Sequence, residues 1–239
     1  MTGRGVVICG GEFHDFDYVG SELVTELERR TSRDILLLDS YPEDAESLTG
    51  VEFLVTYTCN VVPTTGGLSL LLDFLLSGRR WLALHATNAM LEPPASEGGR
   101  WRTSNSAPEF AELLGSRFLA HPPLQKFTVT GVAESPLLDG ARHFEIVDEL
   151  YVSEWLAPVQ ALMASHFGGE CPAFEAGHDV PEADQTIMYT RRIGAGEICY
   201  LSLGHANAEA NGRKAHYGAW QTLAFRHLLG NCLGWVSGA

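Results

Sequence analysis

Four short apolar runs divide the first third of the chain, and they limit the fold more than any other feature of the sequence. They read "GVVICGG", "RDILLLDS", "VEFLVTYT" and "RRWLALHA". Strands that are covered on both faces are apolar throughout, whereas half-exposed strands alternate apolar and polar residues. The segments between the runs, "YVGSELVTELERR", "PEDAESL" and "GGLSLLLDFLLSG", predict helices. This alternation predicts an α/β fold, a three-layer sandwich around a mainly parallel sheet.

The remainder of the chain predicts an extension of that sheet. We expect further strands in "FLAHPPLQKFTVTGV", "HFEIVDELYVSEW" and "VQALMASHF", a hairpin around "RRIGAGE", and a closing helix in "YGAWQTLAFRHLLGNCLGWV". Residues 91–110 are rich in Pro, Gly and Ser and have no periodicity, which predicts a long loop that forms a mobile cover. Because neither a linker nor an internal repeat divides the chain, we expect one domain over residues 1–239.

Composition excludes several classes of partner. The formal net charge of -14 would repel a phosphate backbone, so we expect no nucleic acid partner. No apolar stretch is long enough to span a membrane or to serve as a secretory signal. The five cysteines are widely spaced and form no C-x-x-C pair, which is typical of reduced thiols. We therefore expect a soluble, cytoplasmic protein, with a homo-oligomer as an open alternative to a monomer.

Three histidines stand at or just beyond the ends of predicted strands. His14 follows the first run, His85 ends the fourth, and His205 ends "CYLSLGH". Because ligands of parallel sheets bind beyond the carboxyl ends of the strands, we expect the three side chains to meet at one rim. Imidazole nitrogens suit Zn, Ni or Fe, so the three are candidate ligands of a divalent metal ion. The alternative for His85 is a structural role in which it caps the end of its strand through backbone hydrogen bonds.

A covalent mechanism is disfavoured by the residues around His85. The strand-to-helix elbow, where many α/β enzymes hold a nucleophile, reads "ALHAT" and contains neither Cys nor Ser. Thr87 is a poor nucleophile without a dedicated base. Imidazole at this position can act as a general acid or base, or as a metal ligand. The first strand also lacks a G-x-G-x-x-G motif, so we expect no nucleotide cofactor.

Other polar residues near the predicted rim are weaker candidates. "GGEFHDFD" supplies Glu12 and Asp15, although acidic residues at the start of a helix are also ordinary caps. His121, Asp148, Glu149 and Glu154 lie among apolar strands, where lone acidic residues are usually solvated.

Several of these strings, in this order, resemble the ThuA-like family over essentially the whole chain: "LALHATNA", "FLAHPPLQKFTVT", "SPLLDG", "FEIVDELY" and "YTRRIGAGEICYLSLGHAN". The family is named for trehalose utilisation, and the resemblance implies a flavodoxin-like fold similar to class I glutamine amidotransferases. It further implies catabolism of trehalose or a related glycoside, with 3-keto-glycosides made by partner dehydrogenases as substrates. The Cys-His-Glu triad of the amidotransferases is missing, so we do not expect glutaminase activity. Residues 117–123 hold one His where the family is often His-rich, which weakens a metal role for that stretch.

The resemblance and the residues together favour an enzyme, a lyase or hydrolase acting on a keto-sugar. In this hypothesis the C3 carbonyl acidifies the C2 hydrogen, and cleavage proceeds by proton abstraction and elimination, without a nucleophile. Candidate catalytic residues are His85, Glu154 and His205. Candidate substrate-binding residues are Glu12, His14, Asp15, Thr87, His121 and Trp155, and candidate ligands of Zn or a similar ion are His14, His85 and His205. We expect His85 to be dispensable for folding, since the exposed end of a strand buries little.

Two other classes of function stay open. One is a non-catalytic carbohydrate-binding protein that stacks sugars on Trp101, Tyr151 and Trp155, although aromatic residues are more often part of the core. The other is a scaffold subunit whose acidic surface contacts a partner enzyme.

Overall fold

A computed structural model describes residues 3–210 and 214–239, and its central feature is a sheet of nine strands. Five neighbouring strands run parallel, in the order β2-β1-β3-β4-β13. They are β1 (Arg4–Gly11), β2 (Asp34–Leu38), β3 (Val51–Cys59), β4 (Arg80–Leu84) and β13 (Gly196–Leu201). The four apolar runs of the first third are thus confirmed as neighbouring strands.

The sheet continues from β13 in antiparallel pairing. The order is β13-β12-β11-β8-β9, with β12 at Val180–Ile193, β11 at Gln160–Gly169, β8 at Gln125–Gly131 and β9 at His143–Asp148. Most of these strands follow one another directly in the chain, and short connections favour antiparallel neighbours. The α/β class is confirmed, but the expectation of a mainly parallel sheet holds only for the first half.

Helices cover both faces of the sheet. Helices α1 (Phe16–Glu28) and α4 (Leu223–Ser237) share one core cluster with Val7 of β1, whereas α2 (Thr65–Leu76) and α3 (Pro108–Leu114) share the other with Val6. The alternation follows from the pleat, since successive side chains of a strand point to opposite faces. Because both faces are covered, β1 and β3 are buried along most of their length.

The chain forms no helix at "PEDAESL", where one was expected. Residues 45–50 form turns. The Asp44 carboxylate accepts hydrogen bonds from both the backbone N–H and the hydroxyl of Ser47, which offers the backbone an alternative to helical pairing. The segment is also too short to offset the cost of helix nucleation.

The predicted strands in "FLAHPPLQKFTVTGV" and "HFEIVDELYVSEW", and the predicted loop at residues 91–110, are each divided into shorter elements. The first strand breaks at the prolines after His121, since proline cannot donate to a ladder, and the second breaks near Glu149. Their outer pieces, β7 (Ser116–Ala120) and β10 (Val152–Trp155), pair with each other outside the main sheet. Residues 91–110 contain a small pair of strands, β5 (Leu91–Glu92) and β6 (Arg102–Thr103), and the beginning of α3. The closing helix begins at Leu223, after a single turn of 3-10 helix.

The strand order reverses between β1 and β3, which opens a crevice at their carboxyl ends. The chain leaves β1 for β2 on one side and returns to β3 on the other. Gly11 has φ of +121°, and a Cβ there would lie 1.9 Å from the Cys59 carbonyl oxygen. Only glycine permits this approach, and the switch of strand order is where open α/β sheets bind ligands. No helix in the described part of the chain is both long and apolar enough to cross a membrane.

Candidate functional site

Three strained residues stand directly beyond the parallel strands. Phe13, Asn60 and His85 have φ values of 76°, 59° and 45°, and they follow β1, β3 and β4. Asparagine tolerates this left-handed region, but it costs other residues about 1–3 kcal/mol each. Such strain persists only where the surrounding structure holds it in place. Its concentration at one rim therefore marks that rim as the first candidate site.

His85 lies at the centre of the rim and is completely buried. Its Nδ1 lies 2.8 Å from the Ser202 carbonyl oxygen, an acceptor, so Nδ1 carries the proton and donates it. Nε2 is then directed into the site, and the Tyr151 hydroxyl lies within hydrogen-bond distance of it, 3.1 Å away. The expectation that His85 buries little is wrong, because the elbow turns the ring beneath the rim instead of towards solvent.

His14 is held in the same way as His85. Its Nδ1 donates to the Glu12 carbonyl oxygen at 3.1 Å, and its Nε2 lies 3.1 Å from the Nε2 of His85. Burial, followed by the influence of His85 and His205, holds the pKa of His14 well below its usual range, so the ring is neutral. The Nε2 atoms of the two rings thus face each other. Their separation is close to the roughly 3.0 to 3.4 Å expected between neighbouring imidazole ligands of one divalent ion.

Glu149 and His205 complete the group. One Glu149 oxygen lies 3.2 Å from His205 Nδ1, and the other lies 3.5 Å from His85 Nε2. Although burial alone raises it, the pKa of Glu149 is well below its usual range because His121 and His205 surround the carboxylate. Burial alone would lower the pKa of His205, but the Glu149 charge and hydrogen bonds raise it to about 9. Without a metal, the two form a buried ion pair.

We call His14, His85, Glu149 and His205 the His/Glu cluster. One ligand atom from each lies within 4.8 Å of the others. Backbone carbonyls fix the tautomers of His14 and His85, as outer-shell acceptors do for metal-ligating histidines. Three imidazoles and a carboxylate also form a suitable donor set for Zn or a similar ion. The residues therefore fit a divalent cation.

Three residues of the cluster, His14, Glu149 and His205, line a cavity of about 550 Å³, and the buried His85 lies behind them. His121 lies on its margin, with Nδ1 directed at the Pro122 carbonyl oxygen at 2.7 Å and Nε2 3.4 Å from Glu149. The remaining wall is mostly apolar and includes Phe13, Leu91, Trp101, Phe118, Leu124, Tyr151 and Phe174. A cavity of this size suits a small organic molecule.

The structure brings together four of the histidines that the sequence singled out. The three histidines of the cluster meet as predicted, and His121 lines the same cavity. Asp15 caps α1 by accepting from the Tyr18 N–H at 3.0 Å. Thr87 is buried and donates its hydroxyl to the Leu84 carbonyl oxygen at 2.8 Å. Asp15 and Thr87 were expected to bind substrate. In the structure their side chains form hydrogen bonds that hold the backbone of the rim in place.

The other three predicted residues lie away from the cluster. Glu12 is exposed and accepts from the Asn60 amide at 2.6 Å. Glu154, on β10, pairs with Arg117 at 2.6 Å. Trp155 is exposed and packs edge-on against Tyr189. Neither Glu154 nor Trp155 lines the cavity.

From the sequence alone, Glu149 is only a weaker candidate and Tyr151 only a possible stacking surface, and neither is assigned to catalysis or metal binding. Both belong to the string "DELY", in the connection between β9 and β10. Asp148 of the same string accepts from the backbone N–H groups of Gly204 and His205 at 2.7 and 3.1 Å, which fixes the turn after β13. The sequence signal that could have identified these two residues is the group of polar residues that interrupts two apolar strands.

Comparison with known proteins shows the fold. The sequence matches no protein-family profile and no curated protein. A ThuA-like protein from Parabacteroides merdae ATCC 43184 is 14% identical, with a TM-score of 0.71 over 99% of this chain and 90% of that one. Another from Bacteroides uniformis ATCC 8492 is 17% identical, with a TM-score of 0.65 over 98% and 91%. The ThuA-like resemblance is thus confirmed at the level of the fold.

The same fold also occurs as part of longer chains. A β-galactosidase from Rahnella sp. R3 is 12% identical, with a TM-score of 0.60, and the match covers 99% of this chain but 32% of that one. Because one fold hosts several functions, the activity of this chain must be argued from its own site.

Proposed function

We propose that the chain is a ThuA-like lyase that uses a divalent cation to cleave a 3-keto-glycoside in sugar catabolism. The observation that carries the proposal is the His/Glu cluster beside the cavity, with the Nε2 atoms of His14 and His85 3.1 Å apart. We also assign the parallel half to the flavodoxin-like topology, because its strand order corresponds to 2-1-3-4-5. The ThuA-like fold and the motif resemblance support the family, and the cytoplasmic location stays a prediction.

His14, His85 and His205 would hold the cation, with the Glu149 carboxylate beside them. The two backbone carbonyls accept from Nδ1 of His14 and of His85, which leaves Nε2 of each ring directed at the cation. A divalent cation supplies Lewis acidity, which polarises the substrate carbonyl and makes the neighbouring C–H more acidic.

His121 is positioned to take the proton from C2. Its Nδ1 is directed at the Pro122 carbonyl and the residue lines the cavity, so Nε2 is the nitrogen available to act as the base. Once protonated, that nitrogen stands 3.4 Å from the Glu149 carboxylate, which stabilises the imidazolium. The sequence nominated Glu154 or Glu12 as the base, and the positions of both favour His121 instead.

Elimination completes the reaction without an oxidant or a nucleophile. The C2–H electron pair moves into the enolate, the enolate re-forms the C3 carbonyl while the C1–C2 double bond forms, and the C1–O bond breaks. The aglycone leaves with a proton as an alcohol, and the sugar leaves as a 2-hydroxy-3-keto-glycal. Cys59 lines the cavity, but burial raises the pKa of its thiol, so it supplies no thiolate.

The test combines metal analysis with turnover. We expect about one equivalent of zinc or a similar ion per chain, and release of methanol from methyl 3-keto-α-D-glucopyranoside with exchange of the C2 hydrogen. His121→Gln should lower turnover by about 10² to 10⁴ while metal content stays unchanged. Absence of both metal and turnover would contradict the proposal, whereas tight binding without turnover would favour the carbohydrate-binding protein.

A further inference from the structure

The cavity above the His/Glu cluster has two chemically different ends. The cluster, His121 and Tyr151 supply the polar groups of the site. Asn207 and Lys214 lie on the same side, because Asn207 accepts from His205 Nε2 at 2.9 Å and donates to the Lys214 carbonyl. The rest of the lining is mostly apolar, and we call Phe13, Leu91, Trp101, Leu124 and Phe174 the apolar wall, of which Phe174 packs against His121 with ring centroids 4.8 Å apart.

The apolar wall is held in place by the backbone. Trp101 donates its N–H to the Ala173 carbonyl at 2.8 Å, and its own carbonyl accepts from the Glu175 N–H at 2.9 Å. This pairing ties residues 91–110, expected to be a mobile cover, to the segment that carries Phe174. The Phe13 ring packs edge-on against the indole, with centroids 5.1 Å apart, on a backbone with φ of 76°. Strain that places an aromatic ring at a cavity mouth points to a ligand, because packing alone would not require it.

Two residues of the wall leave apolar surface in water. Phe13 is 41% exposed and Leu124 is 39% exposed, both at the mouth. A ligand that covers them gains by removing this surface from water. Apart from the indole N–H of Trp101, the side chains of the wall offer no hydrogen bonds to the hydroxyl groups of a second sugar ring, and each unpaired hydroxyl weakens binding.

We infer that the substrate carries an aromatic or similarly apolar aglycone, which lies against the apolar wall while the keto-sugar lies on the cluster. This inference rests on the proposed function and names its substrate class. The C1 substituent then points towards the mouth, and the released alcohol leaves without passing the cluster. We therefore expect disaccharides such as 3-ketotrehalose to be poor substrates.

The test compares three 3-keto-α-D-glucopyranosides that differ in the aglycone: benzyl, methyl and the glucosyl group of 3-ketotrehalose. Benzyl alcohol and methanol have similar acidity, so their difference reports on the pocket and not on the leaving group. For wild type we expect a kcat/KM for the benzyl glycoside about 30-fold or more above that for the methyl glycoside, mainly through KM. We expect 3-ketotrehalose to do no better than the methyl glycoside.

Two variants of one residue locate the preference. Trp101→Ala should reduce the benzyl-to-methyl ratio to about 3 or less, while Trp101→Phe, which keeps an aromatic face, should retain most of it. Leu223→Ala, which shortens an exposed side chain outside the cavity, should leave the ratio unchanged. Quenching of tryptophan fluorescence by the benzyl glycoside gives an independent measure of binding.

Each outcome separates this inference from the proposed function. Equal or better turnover of 3-ketotrehalose would overturn the apolar aglycone and leave the keto-glycoside lyase intact. A benzyl preference that survives Trp101→Ala would also overturn it, because the wall would not be its source. If none of the three glycosides is bound or cleaved, the proposed function fails and the inference falls with it.

Discussion

At the scale of single residues, the histidines of the site converge on Glu149. Its carboxylate lies within 3.5 Å of nitrogens of His85, His121 and His205. It is the negative charge that would balance the proposed cation and, in the proposed reaction, the protonated base.

Removing that charge should weaken metal binding. For Glu149→Gln we expect a 10- to 100-fold loss of zinc affinity, about the range found for ligand and outer-shell changes. Glu154→Gln removes a carboxylate from the same segment outside the cluster, and it should change the affinity less than about twofold. Titration of zinc against a competing chelator measures both. Similar losses in the two variants would contradict the assignment of Glu149.

The sequence indicated Glu154 and not Glu149 as a catalytic candidate. Both lie in "DELYVSEW", and a continuous strand would have placed alternate residues on one face. The strand instead breaks into a connection at residues 149–151, and β10 pairs with β7 outside the main sheet. A local pattern does not reveal that break, because it depends on a distant partner.

Without a metal, His205 carries a proton, and its release on metal binding can be measured. Its pKa of about 9 means that the ring is protonated at pH 7, and metal binding through Nδ1 must displace that proton. His14 is already neutral and Glu149 already ionised, because their pKa values lie below their usual ranges. We expect nearly one proton released per zinc at pH 7, falling to zero as the pH rises through 9.

Calorimetry in two buffers of different ionisation enthalpy measures this release. The His205→Gln variant lacks the titrating ring, so zinc binding to it should release no proton at pH 7 or at pH 9. Release that is constant from pH 7 to pH 10 would show that His205 is not the proton donor.

At the scale of elements, the beginning of α1 positions His14. Asp15 caps the helix through the Tyr18 N–H and also accepts from the Tyr217 hydroxyl at 2.6 Å. That hydrogen bond raises the pKa of Tyr217 to about 12. The capping role was weighed from the sequence, whereas Tyr217 lies some two hundred residues away and no local pattern links the two.

Loss of this cap should destabilise the protein modestly. For Asp15→Ala we expect a decrease of about 1 kcal/mol in the free energy of unfolding, typical of N-cap removal. Asp15→Asn keeps an acceptor for Tyr18 and should recover most of the loss. Urea denaturation gives the free energies, and a pH titration of tyrosine absorbance should show a lower pKa for Tyr217 in the alanine variant. Wild-type stability in Asp15→Ala would mean that Asp15 does not cap α1.

At the scale of the whole molecule, the cluster joins the two halves of the sheet. His14, His85 and His205 follow β1, β4 and β13 of the parallel half, while Glu149 follows β9 at the far antiparallel edge. The sequence predicted the parallel half because covered strands are apolar throughout. It did not predict the order of the antiparallel half, since that order depends on pairings between distant segments.

A cation held by both halves should therefore stabilise the entire fold. At a zinc concentration 100-fold above Kd, binding to the folded state alone adds about 2.7 kcal/mol. For a chain of this size that corresponds to a rise in Tm of roughly 5–10 °C. His85→Ala should unfold at a lower temperature than wild type, because it leaves a hole where a buried ring stood, and zinc should not raise its Tm.

The control for this experiment is a histidine outside the cluster. His166 lies at the surface beside Glu182 and Asp184, at 3.2 and 2.9 Å, and these three exposed groups are where weak zinc binding would otherwise arise. His166→Ala should keep the full rise in Tm, and excess EDTA should remove the rise from wild type and from this variant alike. Differential scanning calorimetry with and without zinc makes the comparison. A rise that persists in His85→Ala but disappears in His166→Ala would place the metal at the surface and not in the cluster.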